Sequence, residues 1–173
     1  MVEIETMRMR LVSGTSELAE AELGSKSELA RLLRAKVTEG WPPESVRDVL
    51  PLFLESFRAG SVEACWSLPW YGLLRIGGEE ILCGSIGFKG PPDAAGMVEV
   101  GYSVLPEYEG RGIATEMVRA VTDWAKGKPD VRAVEAETFP DNIGSTRVLE
   151  KVGFMGVGPG TEPGTIRFRL VVQ

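Results

Sequence analysis

Glycines at positions 110 and 112 stand between an apolar run that ends at Leu105 and a helical pattern that begins near Gly112. A strand-to-helix turn of that kind aims several backbone N–H groups at the positive end of a helix, which makes an anion site without any charged side chain. Phosphate binding is the chemistry it supports, and the competing reading is a turn that only joins two elements. Composition narrows the rest. The chain contains no histidine, which removes the commonest general base, the triads built on it and most zinc sites. Cys65 and Cys83 are too few for a disulfide framework and their spacing matches no metal motif, so they read as reduced thiols and no metal is expected.

Two nucleotide motifs compete for the glycine turn. A P-loop needs Gly-x-x-x-x-Gly-Lys-Ser/Thr, and neither Gly24-Ser25-Lys26-Ser27 nor Gly127-Lys128-Pro129 supplies it. A dinucleotide fingerprint comes closer, because Gly110-x-Gly112 follows a strand and opens a helix, with Glu135 or Glu137 at the distance of a ribose-binding acid. Against it, Thr115 replaces the third small residue, and residues 106–109 lengthen the turn.

The elements that must position this turn follow from periodicity. Met7 to Val12 alternates as a strand at or near a sheet edge. Ser16 to Leu23 and Ser27 to Lys36 read as helices separated at Gly24, and Gly40-Trp41-Pro42-Pro43 is a break. Val46, Val49, Leu50, Phe53, Leu54 and Phe57 form an amphipathic stripe over Ser45 to Phe57, which Pro51 should kink or split. Trp66 to Ile76, Ile81 to Phe88 and Met97 to Leu105 read as three strands, the first two joined at Gly77-Gly78, and their short connections imply an antiparallel meander. The next helix covers Ile113 to Lys126, with Glu116 on its outward face and stop signals at Gly127 and Pro129. A strand over Val131 to Thr138, a helix capped by Asn142 or Asp141 and ending at Gly153, and strands over Phe154 to Gly158 and Thr165 to Val172 complete the chain.

At 173 residues, with no linker or repeat, the sequence fits one domain over residues 1–173. No apolar run reaches bilayer length and Met-Val-Glu-Ile-Glu lacks the order of a secretory signal, so no membrane partner and a cytoplasmic location are expected. A net charge of −6 argues against nucleic acid as a partner.

The segment from Val98 to Met117, which contains Gly-Tyr-Ser-Val-Leu-Pro-Glu-Tyr-Glu-Gly-Arg-Gly-Ile-Ala-Thr, and the segment Asp141-Asn-Ile-Gly-Ser-Thr-Arg-Val-Leu-Glu-Lys-Val-Gly-Phe154 together resemble the GNAT superfamily of acetyl-CoA-dependent N-acetyltransferases. The resemblance spans nearly the whole chain and is nearest the RimJ/RimL type. It implies a mixed α/β (α+β) GNAT fold: a largely antiparallel sheet of about seven strands, a splayed central strand pair and helices on both faces. It also implies acetyl-CoA as co-substrate. The amides of Arg111, Gly112, Ile113, Ala114 and Thr115 would hold its pyrophosphate, Val104 and Leu105 would pair with the pantetheine arm as an added strand would, and Asn142 and Ser145 would lie beside that arm. Glu109 departs from the family pattern, which has Gln or Arg there, and brings a carboxylate to the phosphate site.

Acetyl transfer to an amine needs a base, an oxyanion donor and a proton for the departing thiolate. By resemblance Glu99 is the base, working through a water, with Glu135 and Glu137 as further candidates and a backbone N–H near Val104 as the oxyanion donor. Leu149 occupies the position where many members carry a tyrosine acid, seven residues after the asparagine, and Ser145 is the alternative donor. The rival reading of Ser145 is a helix cap. Trp41, Lys89 and Tyr102 are expected at the acceptor pocket, whereas Trp66, Trp70 and Tyr71 read more as core. The acceptor is a small-molecule amine or a peptide N-terminus, and the chain leans towards a homodimer. Two alternatives stand: a GNAT-fold protein that binds acyl-CoA without efficient catalysis, and a nicotinamide dinucleotide-binding oxidoreductase.

Overall fold

The computed structural model describes residues 1–48, 50–59 and 63–172. In chain order the elements are β1 (Glu3–Glu5), β2 (Met9–Ser13), α1 (Ser16–Gly24), α2 (Lys26–Leu33), β3 (Lys36–Val37), α3 (Glu44–Arg47), α4 (Leu50–Ala59), α5 (Ala64–Ser67), β4 (Trp70–Ile76), β5 (Glu79–Phe88) and β6 (Met97–Val104). A single 3-10 turn over Pro106–Tyr108 leads to α6 (Ile113–Lys126), β7 (Ala133–Thr138), α7 (Ile143–Val152), β8 (Met155–Pro159) and β9 (Ile166–Val171). Among the described residues, no helix is long and apolar enough to cross a membrane.

The meander is present: β4 pairs β5 and β5 pairs β6, both antiparallel. The sheet runs β1-β2-β4-β5-β6-β7-β9-β8, with the short β3 beside β5. Among the described residues it has nine strands rather than about seven, because the three-residue β1 and the two-residue β3 are too short for alternation to mark them in sequence. The β6–β7 pair is parallel and is the point where the sheet opens. Their register holds for Met97–Ala133, Val98–Val134 and Glu99–Glu135 only, and beyond Glu99 the two strands part.

Antiparallel pairing fixes which main-chain groups of β6 face that opening. The N–H of Lys89 donates to the Glu99 carbonyl and the N–H of Leu105 to the Cys83 carbonyl, so the odd-numbered residues of β6 turn their amide groups towards β5. The even-numbered ones, Tyr102 and Val104, turn theirs towards the gap.

Packing sets the height of α6 above the sheet. Met117, Val118 and Val121 are fully buried along one stripe, each such side chain contributing about 1.5–3 kcal/mol. Beneath Met117 lie Gly72 and Gly84, paired across β4 and β5. A Cβ on Gly84 would stand 2.8 Å from the Ser103 carbonyl and 3.0 Å from the Met117 methyl, so only glycine admits the helix at this depth. Trp124, at the far end of α6, packs against Trp66, Trp70 and Phe88 at ring separations of 4.7–5.9 Å within that group.

Three local expectations need correction, and one is met. Trp66 lies in α5, not in a strand; Pro69 lacks a backbone donor and separates the helix from β4, which starts at Trp70. β2 starts at Met9, because the Thr6 hydroxyl and the Met9 backbone bond each other and turn the chain at Met7, which is exposed. The stripe from Ser45 to Phe57 is two helices, as Pro51 required, with Val49 outside the described residues and Pro51 in the first turn of α4. Glu116 does not face outward: it accepts hydrogen bonds from the Thr6 hydroxyl at 2.6 Å and from the Arg8 backbone N–H at 2.9 Å.

Candidate active site

Gly110 and Gly112 both adopt positive φ, 70° and 76°, which a residue with a Cβ enters only at a cost. That conformation turns the chain from the 3-10 segment into α6. Gly112 is the N-cap of α6, and no side chain caps it, so the first-turn N–H groups point out of the helix end. The loop is braced from the opposite end of the chain. Arg8 donates from Nη1 to the Arg111 carbonyl at 3.0 Å and from Nε to Glu116 Oε2 at 2.8 Å, tying the loop to the first turn of α6.

In front of this turn lies a groove of about 610 Å³. Tyr102, Ser103 and Val104 of β6 form one wall, residues 108–110 and 112–115 the phosphate-side end, and Asn142, Gly144, Ser145, Arg147, Val148 and Lys151 the other wall. Asn142 is the N-cap of α7, its Oδ1 accepting the Ser145 N–H at 3.1 Å, so the capping role belongs to Asn142. The Ser145 hydroxyl is thereby left to meet a different partner. Its Oγ lies 2.9 Å from the Tyr102 hydroxyl, which also donates to the Ser145 carbonyl at 3.2 Å. Burial pushes the Tyr102 hydroxyl above its usual pKa, with the Ser145 contact opposing, so Tyr102 holds its proton at neutral pH.

A second cavity, about 260 Å³, opens on the other side of β6. Val46, Leu50 and Phe53 of α3 and α4, Leu68 and Pro69, residues 85–88 of β5 and Lys89 just beyond it line the cavity. Tyr102 and Ser103 line both cavities, so the two meet at the tip of β6 where no strand of the β7 side covers it.

Residues 8–155 match the family described as the acetyltransferase (GNAT) domain. The chain belongs to the GNAT acetyltransferases. It is 28% identical over 155 residues to the uncharacterized N-acetyltransferase YjdG of Bacillus subtilis, covering 90% of each chain. Among solved structures, it superposes on the ribosomal-protein-S5-alanine acetyltransferase of Vibrio fischeri with a TM-score of 0.65 at 20% identity, covering 99% of this chain and 97% of that one. The ribosomal L7/L12 α-N-protein acetyltransferase RimL, solved with coenzyme A, gives 0.64 at 14% identity, covering 99% and 98%. At these identities the two structures establish the fold alone. The dinucleotide reading finds no support: an antiparallel meander feeds the glycine turn, and the turn lies inside the GNAT match.

Placed in this GNAT domain, most residues expected at the coenzyme site converge: Val104, Gly112, Ile113, Ala114, Thr115, Asn142 and Ser145 all line the groove. Leu105 and Arg111 do not. Leu105 is buried and both its main-chain groups are used, the N–H by the Cys83 carbonyl and the carbonyl by Tyr108 N–H. The Arg111 guanidinium instead lies over the Tyr108 ring, 5.8 Å from its centroid. Of the acceptor-pocket residues, Lys89 and Tyr102 are on the cavity wall, but Trp41 is not. Trp41 is buried in the core, its Nε1–H donating to Glu22 Oε1 at 2.8 Å, and a partner from α1 is what draws it away from the break in which it lies.

Glu99 lies on neither wall; it is ion-paired with Lys89, which does line the second cavity. Glu135 accepts from Arg169 Nε at 2.8 Å. Glu137 is fully engaged by the backbone and hydroxyl of Thr161, by Thr165 and by Arg167. Burial opposes its charge, but these donors prevail and draw its pKa down to about 2. Cys83 is buried, and its thiol is pushed up to about 12 chiefly by that burial.

Sequence reasoning missed the cations of the groove. Arg147 and Lys151 recur with Gly144 and Val148 at three-and-four spacing, so one face of α7 carries all four. That face becomes readable only after Asn142, not Asp141, is fixed as the cap.

Proposed function

We propose that this protein is an acetyl-CoA-dependent N-acetyltransferase that moves the acetyl group directly from the thioester to a primary amine, and that it is nearest the RimJ/RimL branch. One observation carries the reading: the uncapped helix end at Gly112 and the Tyr102–Ser145 hydroxyl pair lie in a single groove that meets a separate cavity at the open tip of β6.

The residues present fit coenzyme A. The amides at the start of α6 suit its pyrophosphate, and Arg147 and Lys151 supply positive charge to the same groove, which offsets Glu109. Val104 turns its main-chain groups to the gap, as strand-like pairing with an amide-bearing arm requires, and its N–H is the donor available for an oxyanion. When bound, the coenzyme supplies the activated acetyl group. Ser145, proton-coupled to Tyr102, is the group that returns a proton to the sulfur. The amine's proton is taken by Glu99 through a water: Glu99 is paired with Lys89 of the cavity wall and shares its face of β6 with Gly101 and Ser103, which line that cavity. Direct transfer suits a chain whose Cys83 thiol stays protonated.

The test is release of free thiol from acetyl-CoA over a panel of amines and peptides, with coenzyme A binding followed in parallel by calorimetry. Turnover with at least one amine supports transfer, and Glu99→Gln should then lower kcat strongly while leaving coenzyme affinity unchanged. Tight coenzyme binding with no turnover on any acceptor favours the second reading, an acyl-CoA binder, which the Glu109 carboxylate in the groove supports.

A further inference from the structure

We infer that the acceptor is a primary amine carried on an apolar skeleton, one aromatic ring or a branched chain, with no second cationic group. The inference rests on the transfer reading for where the acceptor lies, and on the 260 Å³ cavity itself for what the acceptor is. Leu50, Leu68, Ile86 and Phe88 are essentially buried on its wall, and Phe53 closes it from α4. Its volume suits a small side chain held by contact rather than an extended polar molecule.

Charge decides between amine classes. Among the described lining residues Lys89 is the one charged side chain, and it is positive. The carboxylate nearest to it, Glu99, is off the wall and already paired with Lys89. A polyamine or aminoglycoside would therefore carry its extra ammonium groups into an apolar chamber with a like charge at the rim and no carboxylate to receive them, which burial penalises heavily. An apolar amine faces no such penalty once its single amine has lost its proton. It reaches the groove across Tyr102 and Ser103, the residues common to both cavities.

The experiment uses the full chain with saturating acetyl-CoA and measures kcat/KM for 2-phenylethylamine, phenylalaninamide, a tripeptide amide beginning with phenylalanine, spermidine and kanamycin. Phenylethylamine should exceed spermidine and kanamycin by about tenfold or more, the usual range for filling an apolar pocket against leaving it empty. Phenylalaninamide against the tripeptide distinguishes a small-molecule source from a peptide N-terminus. Spermidine or kanamycin equal to or better than phenylethylamine overturns the inference while leaving acetyl transfer intact. Calorimetry of phenylethylamine into the coenzyme A-loaded protein separates the two readings: binding without turnover keeps the apolar site and overturns transfer, whereas neither binding nor turnover overturns the inference. Phe53→Glu, at a half-buried wall position, should reverse the order of phenylethylamine and spermidine with coenzyme A affinity unchanged. An unchanged order in that folded, coenzyme-binding variant also overturns it.

Discussion

The hydroxyls of Tyr102 on β6 and Ser145 on α7 lie 2.9 Å apart, joining the two walls of the groove in front of α6. Asn142 holds the Ser145 N–H and so fixes where that hydroxyl can point. A serine alone is a weak acid, but one coupled to a tyrosine that holds its own proton can be resupplied after it donates. Ser145→Ala and Tyr102→Phe should each lower kcat by about 10- to 100-fold, and the double variant should be little worse than either, since both remove one proton path. Steady-state thiol release with coenzyme A affinity measured alongside checks this. An equal loss of coenzyme affinity in Ser145→Ala would instead assign the serine to binding.

Arg8 reaches from the N-terminal segment to the carbonyl of Arg111 and to Glu116 on the first turn of α6. Arg8→Ala removes that brace from a loop that already carries two glycines in the left-handed region. Coenzyme A should bind about 5- to 10-fold more weakly, a coupling of about 1 kcal/mol that is reduced in salt because Arg8 is 40% exposed. Calorimetry at low and high ionic strength reads both effects. Glu116 is raised by burial, but the Thr6 and Arg8 hydrogen bonds prevail and its pKa is lowered. Its contribution to stability is therefore present above the ordinary carboxyl range and is lost as pH falls through its lowered folded value.

Glu109 lines the end of the groove before α6, and Arg147 and Lys151 of α7 line the same groove. Glu109→Gln removes one negative charge from the site of an anionic ligand. Coenzyme A affinity should rise about 2- to 5-fold at low salt and converge with the parent at high salt. Lys151→Ala should move it the other way with the same salt dependence.

Glu22 is buried in the core with Trp41 Nε1 and the Tyr71 hydroxyl as its donors, at 2.8 and 2.7 Å. Burial raises its pKa to about 7 against the lowering by those two bonds. Between its ordinary value near 4.5 and about 7 the unfolded chain has lost a proton that the folded chain keeps, so stability falls as pH rises through that window. The loss is about 3 kcal/mol by pH 8 and levels off above 7. Glu22→Gln should flatten the profile, leaving urea midpoints at pH 5 and pH 8 closer together than in the parent.

Regions where two independent signals agreed were legible in the sequence. The helix from Ile113 to Lys126 was bounded by an apolar period, by glycine turns and by Pro129, and it is found at those bounds. Trp66 shows the opposite case: aromatic content suggested a strand, but its packing against Trp124 sits in α5. The α7 wall of the groove was half visible, since Asn142 and Ser145 belong to a motif while Arg147 and Lys151 look like any solvated helix face until the cap is known. That Leu105 turns its N–H to β5 while Tyr102 turns its main-chain groups to the gap is a matter of phase that only the register against β5 shows. Val46, Leu50 and Phe53 read as an ordinary amphipathic stripe, because a helix face that closes a cavity and one that fills a core have the same spacing.

Met117, wedged over Gly72 and Gly84, makes the end of the groove at α6 a fixed post. A helix seated on bare backbone cannot slide without a collision, so the span from the glycine loop to the tip of β6 behaves as a ruler cut to one length. The neighbouring 260 Å³ cavity is bounded in part by side chains of α3 and α4, whose exchange alters its shape without moving the sheet. Under the proposed transfer, drift in acceptor choice is thereby free to proceed on one side of the molecule while the donor side is held in register.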